Sequence, residues 1–273
     1  MEQQLKKVAL EMMNDDKVLA RVVEHAAHVD QNASGIRVVT FLQGSQNYGM
    51  SDEESDVDTK SLVVPSFADL VLSKSRESHT LILSNEEHAD VKDVREMFNC
   101  WKKQNVNFVE ALFTKYVQVP EEFQWFYDVL YAERETIAHY SLWNTLMATC
   151  GHMMEKFTKL KHAGVARTHW VEKYGYDPKQ LCHLLRLKDF LTKYFDGCMY
   201  EECLKPSNPG YLLAVKRGLH TLGEAEFLAD DVMAWAEEFR TKTKNALGAP
   251  DFNSKVDTLF TDLTLELFRE VCK

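Results

Sequence analysis

No stretch of this 273-residue sequence approaches the roughly 20 apolar residues that a membrane span requires. The first fifteen residues, Met1 to Asp15, are polar and charged, which excludes a secretory signal and leads us to expect a cytoplasmic protein. Cysteine is sparse and unpatterned. Cys100, Cys150, Cys182, Cys198, Cys203 and Cys272 include no Cys-x-x-Cys pair, so a zinc-finger framework is not expected and all six read as reduced thiols. A basic surplus is also missing. The net charge is −10, the opposite of what a protein gripping extended duplex nucleic acid usually carries.

What is present is an ordinary globular composition, 45% hydrophobic and 27% charged, in a chain long enough for one large domain or two modest ones. Helical apolar spacing runs over Met1–His28, through Leu5, Val8, Met12, Val18, Leu19, Val22 and Val23. Short β-branched runs at 36–42 and 56–64 predict strands. A short helix capped by Ser66 follows, then candidate strands at 80–83 and 89–91. Asp93, with Glu96 three residues on, predicts a helix start in a capping-box variant, with Val94, Met97, Phe98 and Trp101 as its apolar stripe. Beyond it the pattern is helical over 108–116, 121–131, 133–162, 177–195, 209–221, 224–246 and 255–273, with loops at 164–176 and 205–210. The expectation is therefore α+β: a small mixed sheet with flanking helices in residues 1–118, then an all-helical domain in 119–273.

The informative stretch is Gly44-Ser45-Gln46-Asn47-Tyr48-Gly49, followed by Ser55-Asp56-Val57-Asp58. A glycine at a strand end tolerates unusual backbone angles and lets main-chain N–H groups approach a phosphate. Ser45 adds a hydroxyl, and a short helix starting there would direct its positive end at the anion. Asp56 and Asp58 lie two apart on a predicted strand, so both carboxylates share a face about 6–7 Å apart. Such a pair repels itself unless a cation intervenes, and hard divalent ions such as Mg²⁺ take oxygen ligands of this kind together with substrate phosphates. A third carboxylate on a neighbouring strand would complete a two-metal site; Asp90 and Asp93 are the candidates, Asp90 preferred. Taken alone, the same residues also suit a turn, and Asp52-Glu53-Glu54 reads as a solvated acidic loop.

Further along, Lys179, His183 and Arg186 fall at i, i+4 and i+7, one face of one helix, with Leu181, Leu184, Leu185 and Leu187 pointing elsewhere. Between residues 155 and 193 there are nine Lys or Arg against four acids, a positive segment in an acidic chain. Lys and Arg there suit the β- and γ-phosphates of a nucleotide; a plain solvated helix face is the alternative. Asp177 caps that helix, with Pro178 at its first position. Glu110, in an apolar helix, calls for a buried Arg or Lys partner. Of the five tryptophans, Trp170 is the one whose loop context would let it stack on a base; the others read as core.

These residues carry a resemblance. Gly44-Ser45, Tyr48-Gly49 and Ser55-Asp56-Val57-Asp58 resemble the Gly-Ser…Asp-x-Asp signature of the polymerase β-like nucleotidyltransferases. The wider pattern is similar to bacterial and phage predicted nucleotidyltransferases of the YcgL type. It includes Asp90 to Phe98, Asn105 to Phe113, Tyr174-Gly175-Tyr176-Asp177-Pro178-Lys179 and His183-Leu184-Leu185-Arg186-Leu187, and spans roughly residues 36–220. The resemblance implies metal binding by Asp56, Asp58 and Asp90. It implies nucleotide contacts from Gly44, Ser45 and Tyr48, with Lys179, His183 and Arg186 on the helical side. It implies two Mg²⁺ ions, for which Mn²⁺ can substitute. The implied activity moves a nucleoside monophosphate from an NTP such as ATP to an acceptor hydroxyl and releases pyrophosphate. RNA, protein and small-molecule acceptors all remain open. Two other readings stand beside it: a catalytically inactive binding or regulatory protein of the same fold, and a phosphate-ester hydrolase using the same metals.

Overall fold

The computed structural model describes residues 2–51, 55–162 and 167–272, with side chains from Asp15 onward. The side chains of Leu5, Val8 and Met12 of the expected stripe are not among those described, and the Asp52-Glu53-Glu54 loop and the start of the expected 164–176 loop lie outside the described residues. The protein is mixed α+β, with a single five-stranded sheet among the described residues. The chain opens with α1 (Glu2–Asn32), β1 (Ile36–Gln43), β2 (Asp58–Val64), α2 (Phe67–Val71), β3 (Ser78–Ile82) and β4 (His88–Asp93). Next come α3 (Val94–Lys102), α4 (Val106–Val109) with a 3-10 turn at Glu110–Phe113, and β5 (Val117–Gln118). Helices fill the remainder: α5 (Gln124–Ala132), α6 (Arg134–Ala138), α7 (Leu142–Lys159), α8 (Thr168–Tyr174), α9 (Pro178–Phe195), α10 (Tyr200–Leu204), α11 (Pro209–Lys216), α12 (Leu222–Leu247) and α13 (Ser254–Val271). No described helix is long and apolar enough to cross a membrane.

The strand order is β3-β4-β2-β1-β5, with β2 and β4 parallel and the other pairs antiparallel. Period-two alternation gives the two faces of β2 different company. Val57 and Val63 face α1, where they meet Val22 and Val29. Leu62 and Val64 face the other way, into an apolar core that takes in α3 and continues through α7, α9 and α12 to Leu267 of α13. That core runs without a break across residue 118. Asp58 and Lys60 share the face of Leu62, so their side chains are on the side of the helical half.

Several segments depart from the sequence pattern: the strand expected over 56–64 begins at Asp58, so Asp56 lies just before it, and α10 falls outside the expected helices. The expected helix over 133–162 is broken at His139–Ser141, where Ser141 caps α7 by accepting from Asn144 N. The broken end is held from far away: Asp251 accepts from the backbone N–H groups of Leu142 and Trp143. The expected loop at 164–176 contains α8 instead. The expected helix over 108–116 is one α-turn, a 3-10 turn and a two-residue strand. Asp93 does cap α3, but its carboxylate accepts from Arg95 N, while Glu96 turns outward to Arg76.

Candidate active site

Gln43, the last residue of β1, pairs with Asp58, the first of β2. That register sets the Gly44-Ser45 turn beside the Asp56-Val57-Asp58 segment. Gly44 has φ 108°, ψ −159°, a conformation that a side chain disfavours. Ser45–Tyr48 then form a single 3-10 turn, closed by Gly49 donating to Ser45 O. One turn is too short to carry the helix dipole that the sequence suggested. The Gly44 backbone lies against the buried carboxylate of Glu110 and helps to oppose the rise that burial causes there.

Gly44, Ser45, Tyr48, Asp56 and Asp58 line one side of a cleft of about 970 Å³, and α9 supplies the other side through Lys179, His183 and Arg186. Val57 between the two aspartates is buried, as the alternation requires. A network on the opposite face of the sheet holds this segment. Glu87, in the β3–β4 turn, accepts from Val57 N at 3.3 Å and contacts His25 Nε2 at 2.9 Å, and Arg21 donates to it. His25 Nδ1 meets Thr59 Oγ1 at 3.0 Å. Burial works against ionisation of Glu87, but the contacts from Asn85, His25, Arg21 and Val57 outweigh it and hold its carboxyl at about 2.

Asp90 is not brought to this cleft. Parallel pairing of β2 with β4 sets Asp90 opposite Lys60, two residues beyond Asp58 along the strand. Lys60, only 2% exposed, donates to Asp90 Oδ2 at 3.0 Å, and Thr80 donates to Oδ1 at 2.6 Å. Burial raises the Asp90 carboxyl, but Lys60 and Thr80 outweigh it and keep it below the usual range. Both oxygens are committed to the protein. Asp93, the other candidate, is buried and held by Arg95. The residue beside Asp58 is His88, with Nδ1 at 3.4 Å from Asp58 Oδ1. Among the described residues no group of three or more His, Cys, Asp or Glu side chains gathers in metal-binding geometry. The pair Asp56–Asp58 nevertheless suits a hard cation. Both are acceptor-only groups in a cleft, and Asp58 Oδ1 is buried without a hydrogen-bond partner.

The three residues of the α9 face have different characters. Lys179 stays exposed. Loss of hydration and the neighbouring charges of Arg167 and Lys216 lower its pKa, against the pull of Asp56 and Asp58. His183 is driven far below its usual value, first by burial and then by Arg186, Lys179, Lys156 and His152, so it is a neutral imidazole at pH 7. Arg186 is 5% exposed, and its guanidinium lies over the Tyr48 ring at 4.3 Å from the centroid. Glu110, 2% exposed, is its carboxylate neighbour; burial raises Glu110, while Arg186 and Lys60 oppose the rise. Arg186 Nε and Glu110 Oε2 each lack a hydrogen-bond partner.

Asp177 caps α9 as its sequence context indicates, accepting from Lys179 N, and Pro178 occupies the first turn. Fully buried, it is also gripped at both oxygens by Arg167 at 2.7 and 2.8 Å. Cys182 faces the cleft, but burial pushes its thiol up to about 11, so it is no nucleophile at neutral pH. Sequence reasoning missed several residues that line the cleft, among them Lys216, Arg217 and His152. None lies in a motif; each is delivered by a helix whose placement depends on the tertiary packing. Lys60 did leave a signal, as a lysine two residues after Asp58 on the same strand face as Leu62 and Val64. No known protein family matches this chain, and no curated protein does.

Proposed function

We propose that this chain is a Mg²⁺-dependent nucleotidyltransferase of the polymerase β type that transfers a nucleoside monophosphate from an NTP to an acceptor hydroxyl. In this reading residues 1–118 form the nucleotidyltransferase core and residues 119–273 close the nucleotide cleft. One observation carries it: Asp56 and Asp58 share a single cleft with the Gly44-Ser45 turn and, facing them, the cations Lys179, Arg186 and Lys216. The resemblance of the Gly44-Ser45…Asp56-Val57-Asp58 signature supports the same conclusion.

Asp56 and Asp58 hold the divalent ion, Mg²⁺ or in its place Mn²⁺. When bound, such an ion supplies charge neutralisation at phosphate oxygens and lowers the pKa of a bound hydroxyl. The reading rests on this pair, because Asp90 is committed to Lys60 and Thr80. Ser45 bonds the phosphates from the turn. Lys179 and Lys216 neutralise the leaving pyrophosphate. Arg186, anchored over Tyr48, presents a fixed positive charge behind them. His183 contributes an uncharged ring that adds no positive charge to the cations around it. Catalysis is positioning and charge neutralisation, with no covalent enzyme intermediate.

Calorimetric titration with Mg²⁺ and each NTP, followed by mass analysis of the products, tests the proposal. Mg²⁺-dependent NTP binding with pyrophosphate release is the expected result, and full activity in Asp58→Asn refutes it. The Lys60–Asp90 pair favours one second reading, a nucleotide-binding protein without catalysis. That reading predicts NTP binding with no pyrophosphate released to any acceptor.

A further inference from the structure

One wall of the cleft is not needed for a triphosphate. Lys216 and Arg217 lie at the end of α11. Lys216 Nζ stands 3.4 Å from Ser55 Oγ and 3.5 Å from Met50 O, on the segment that leads to Asp56. The residues just after it hold an aromatic platform. Tyr174 donates its hydroxyl to Arg217 O at 3.2 Å. Its ring crosses Gly218 so closely that a Cβ there would lie 2.4 Å from ring carbons, and Gly218 has φ +86°. The backbone is thus shaped to seat this ring. Tyr174 stacks on Trp170, with centroids 5.6 Å apart and planes 12° apart. Lys173 Nζ stands 4.8 Å from the Tyr174 centroid. Trp170, Lys173, Tyr174 and Arg217 all line the same cleft as Asp56 and Asp58.

Resting on the nucleotidyltransferase reading above, we infer that this wall is the acceptor site and that the acceptor is the hydroxyl-bearing end of a single-stranded nucleic acid. Flat rings beside cations are the recognition chemistry of single strands: rings stack on bases of any sequence, and Lys or Arg hold the intervening phosphates. Lys173 and Arg217 stand beside the rings, where they can hold the phosphates of a second ligand. The chain as a whole carries charge −10, so the contact is confined to the last one or two nucleotides and does not extend along a duplex. The route from platform to carboxylates is short, through Arg217 and Lys216 to Ser55 and Asp56. In the reaction the terminal hydroxyl oxygen bonds to the α-phosphorus. The bond from that phosphorus to the β-bridging oxygen breaks, pyrophosphate departs with the electron pair, and the hydroxyl proton passes to solvent.

The test is fluorescence anisotropy of the full chain with a labelled eight-nucleotide single-stranded RNA, the DNA of the same sequence and the corresponding duplex, without NTP. ATP binding is measured separately by calorimetry. We expect single strands to bind more tightly than duplex. Trp170→Ala should weaken single-strand binding by about 5- to 150-fold, the range for loss of one base–aromatic stack, and Tyr174→Ala, which removes the ring that supports Trp170, should weaken it in the same direction. Trp170→Phe should retain most of it, and Lys173→Gln should flatten the salt dependence. RNA and DNA binding equally, or RNA preferred, both support the site; preference identifies a contact to the 2′-hydroxyl. Failure of the wild-type chain to bind any single strand overturns the inference, as does Trp170→Ala binding like wild type. If ATP still binds and pyrophosphate is released to a protein or small-molecule hydroxyl, the nucleotidyltransferase reading survives that failure. If single strands bind but ATP does not, both fall.

Discussion

Lys179 and Arg186 share a helix face, and from spacing alone they are interchangeable phosphate ligands. Burial separates them. Arg186 is 5% exposed, lies over the Tyr48 ring and neighbours the buried Glu110, so Arg186→Ala should damage the fold as well as nucleotide binding. At an effective dielectric of about 20, the attraction between a guanidinium and a neighbouring carboxylate such as Arg186 and Glu110 is on the order of 3 kcal/mol. The guanidinium over the ring adds about 1–2 kcal/mol. Truncation also relieves the desolvation cost of the guanidinium itself, so the net loss should be about 2–4 kcal/mol. For a chain of this size that lowers Tm by about 10 °C. The assay is thermal unfolding of the apo protein for Arg186→Ala, Glu110→Gln and the double variant. Neutralising Glu110 removes the charge that Arg186→Ala strands, so the double variant should be more stable than Arg186→Ala alone. NTP affinity should stay weak in it, because the positive charge behind the phosphates is still gone. An unchanged Tm in Arg186→Ala, or a double variant whose losses simply add, would refute the coupling.

Other perturbations separate metal ligands from scaffold. Asp58→Asn should abolish Mg²⁺-dependent NTP turnover without lowering apo Tm, since it removes one of two crowded carboxylates; Mg²⁺ titration by calorimetry against Tm reads both effects. Asp90→Ala should instead destabilise by about 3 kcal/mol, because it strands the buried Lys60 ammonium, and Lys60→Met together with Asp90→Leu should recover most of that in a denaturant melt. Glu87, held at about 2 against an ordinary 4.5, stabilises the folded state fully above about 4.5 and loses that contribution as pH falls toward 2. Glu87→Gln should therefore flatten the acid limb of the stability profile by up to about 3 kcal/mol; an acid limb identical to wild type would exclude this role.

The parts of the fold that were legible in the sequence are those decided locally. The β-branched run Ile36–Leu42 and the cap residues Ser66, Asp93 and Asp177 announce their elements because their chemistry acts within three residues. The Gly-Ser turn and the Asp-x-Asp pair were legible for the same reason. What failed depends on partners far along the chain. The break before α7 is fixed by Asp251, about 110 residues away, in a segment whose own pattern is continuously helical. Glu110 was legible as a buried acid in need of a cation, but nothing local says that its neighbours are Lys60 and Arg186. Asp90 failed because a third ligand is defined by strand register, and register between two parallel strands joined through a third is not written in either strand alone.

That register also accounts for the chemistry of the cleft floor. With Lys60 opposite Asp90, the charges on this face of β2 alternate. Asp58 is at the cleft, Lys60 is buried two residues along and is neutralised by Asp90, and His88 takes the place beside Asp58. Had Asp90 stood level with Asp58, Lys60 would face the core with no acceptor across the strand, a position that a buried ammonium does not tolerate. The lysine and the aspartate therefore specify the pairing together, and the sheet's stability holds Asp90 away from Asp56 and Asp58. Positive charge then faces the carboxylates from the helical half, through Lys179, Lys216 and the buried Arg186. His183, neutral among these cations, adds no further charge to repel them. The cleft wall opposite Asp56 and Asp58 is therefore rich in cations, and in the proposed reading the phosphates of a nucleoside triphosphate would balance them while leaving the Trp170–Tyr174 pair to a second ring-bearing ligand.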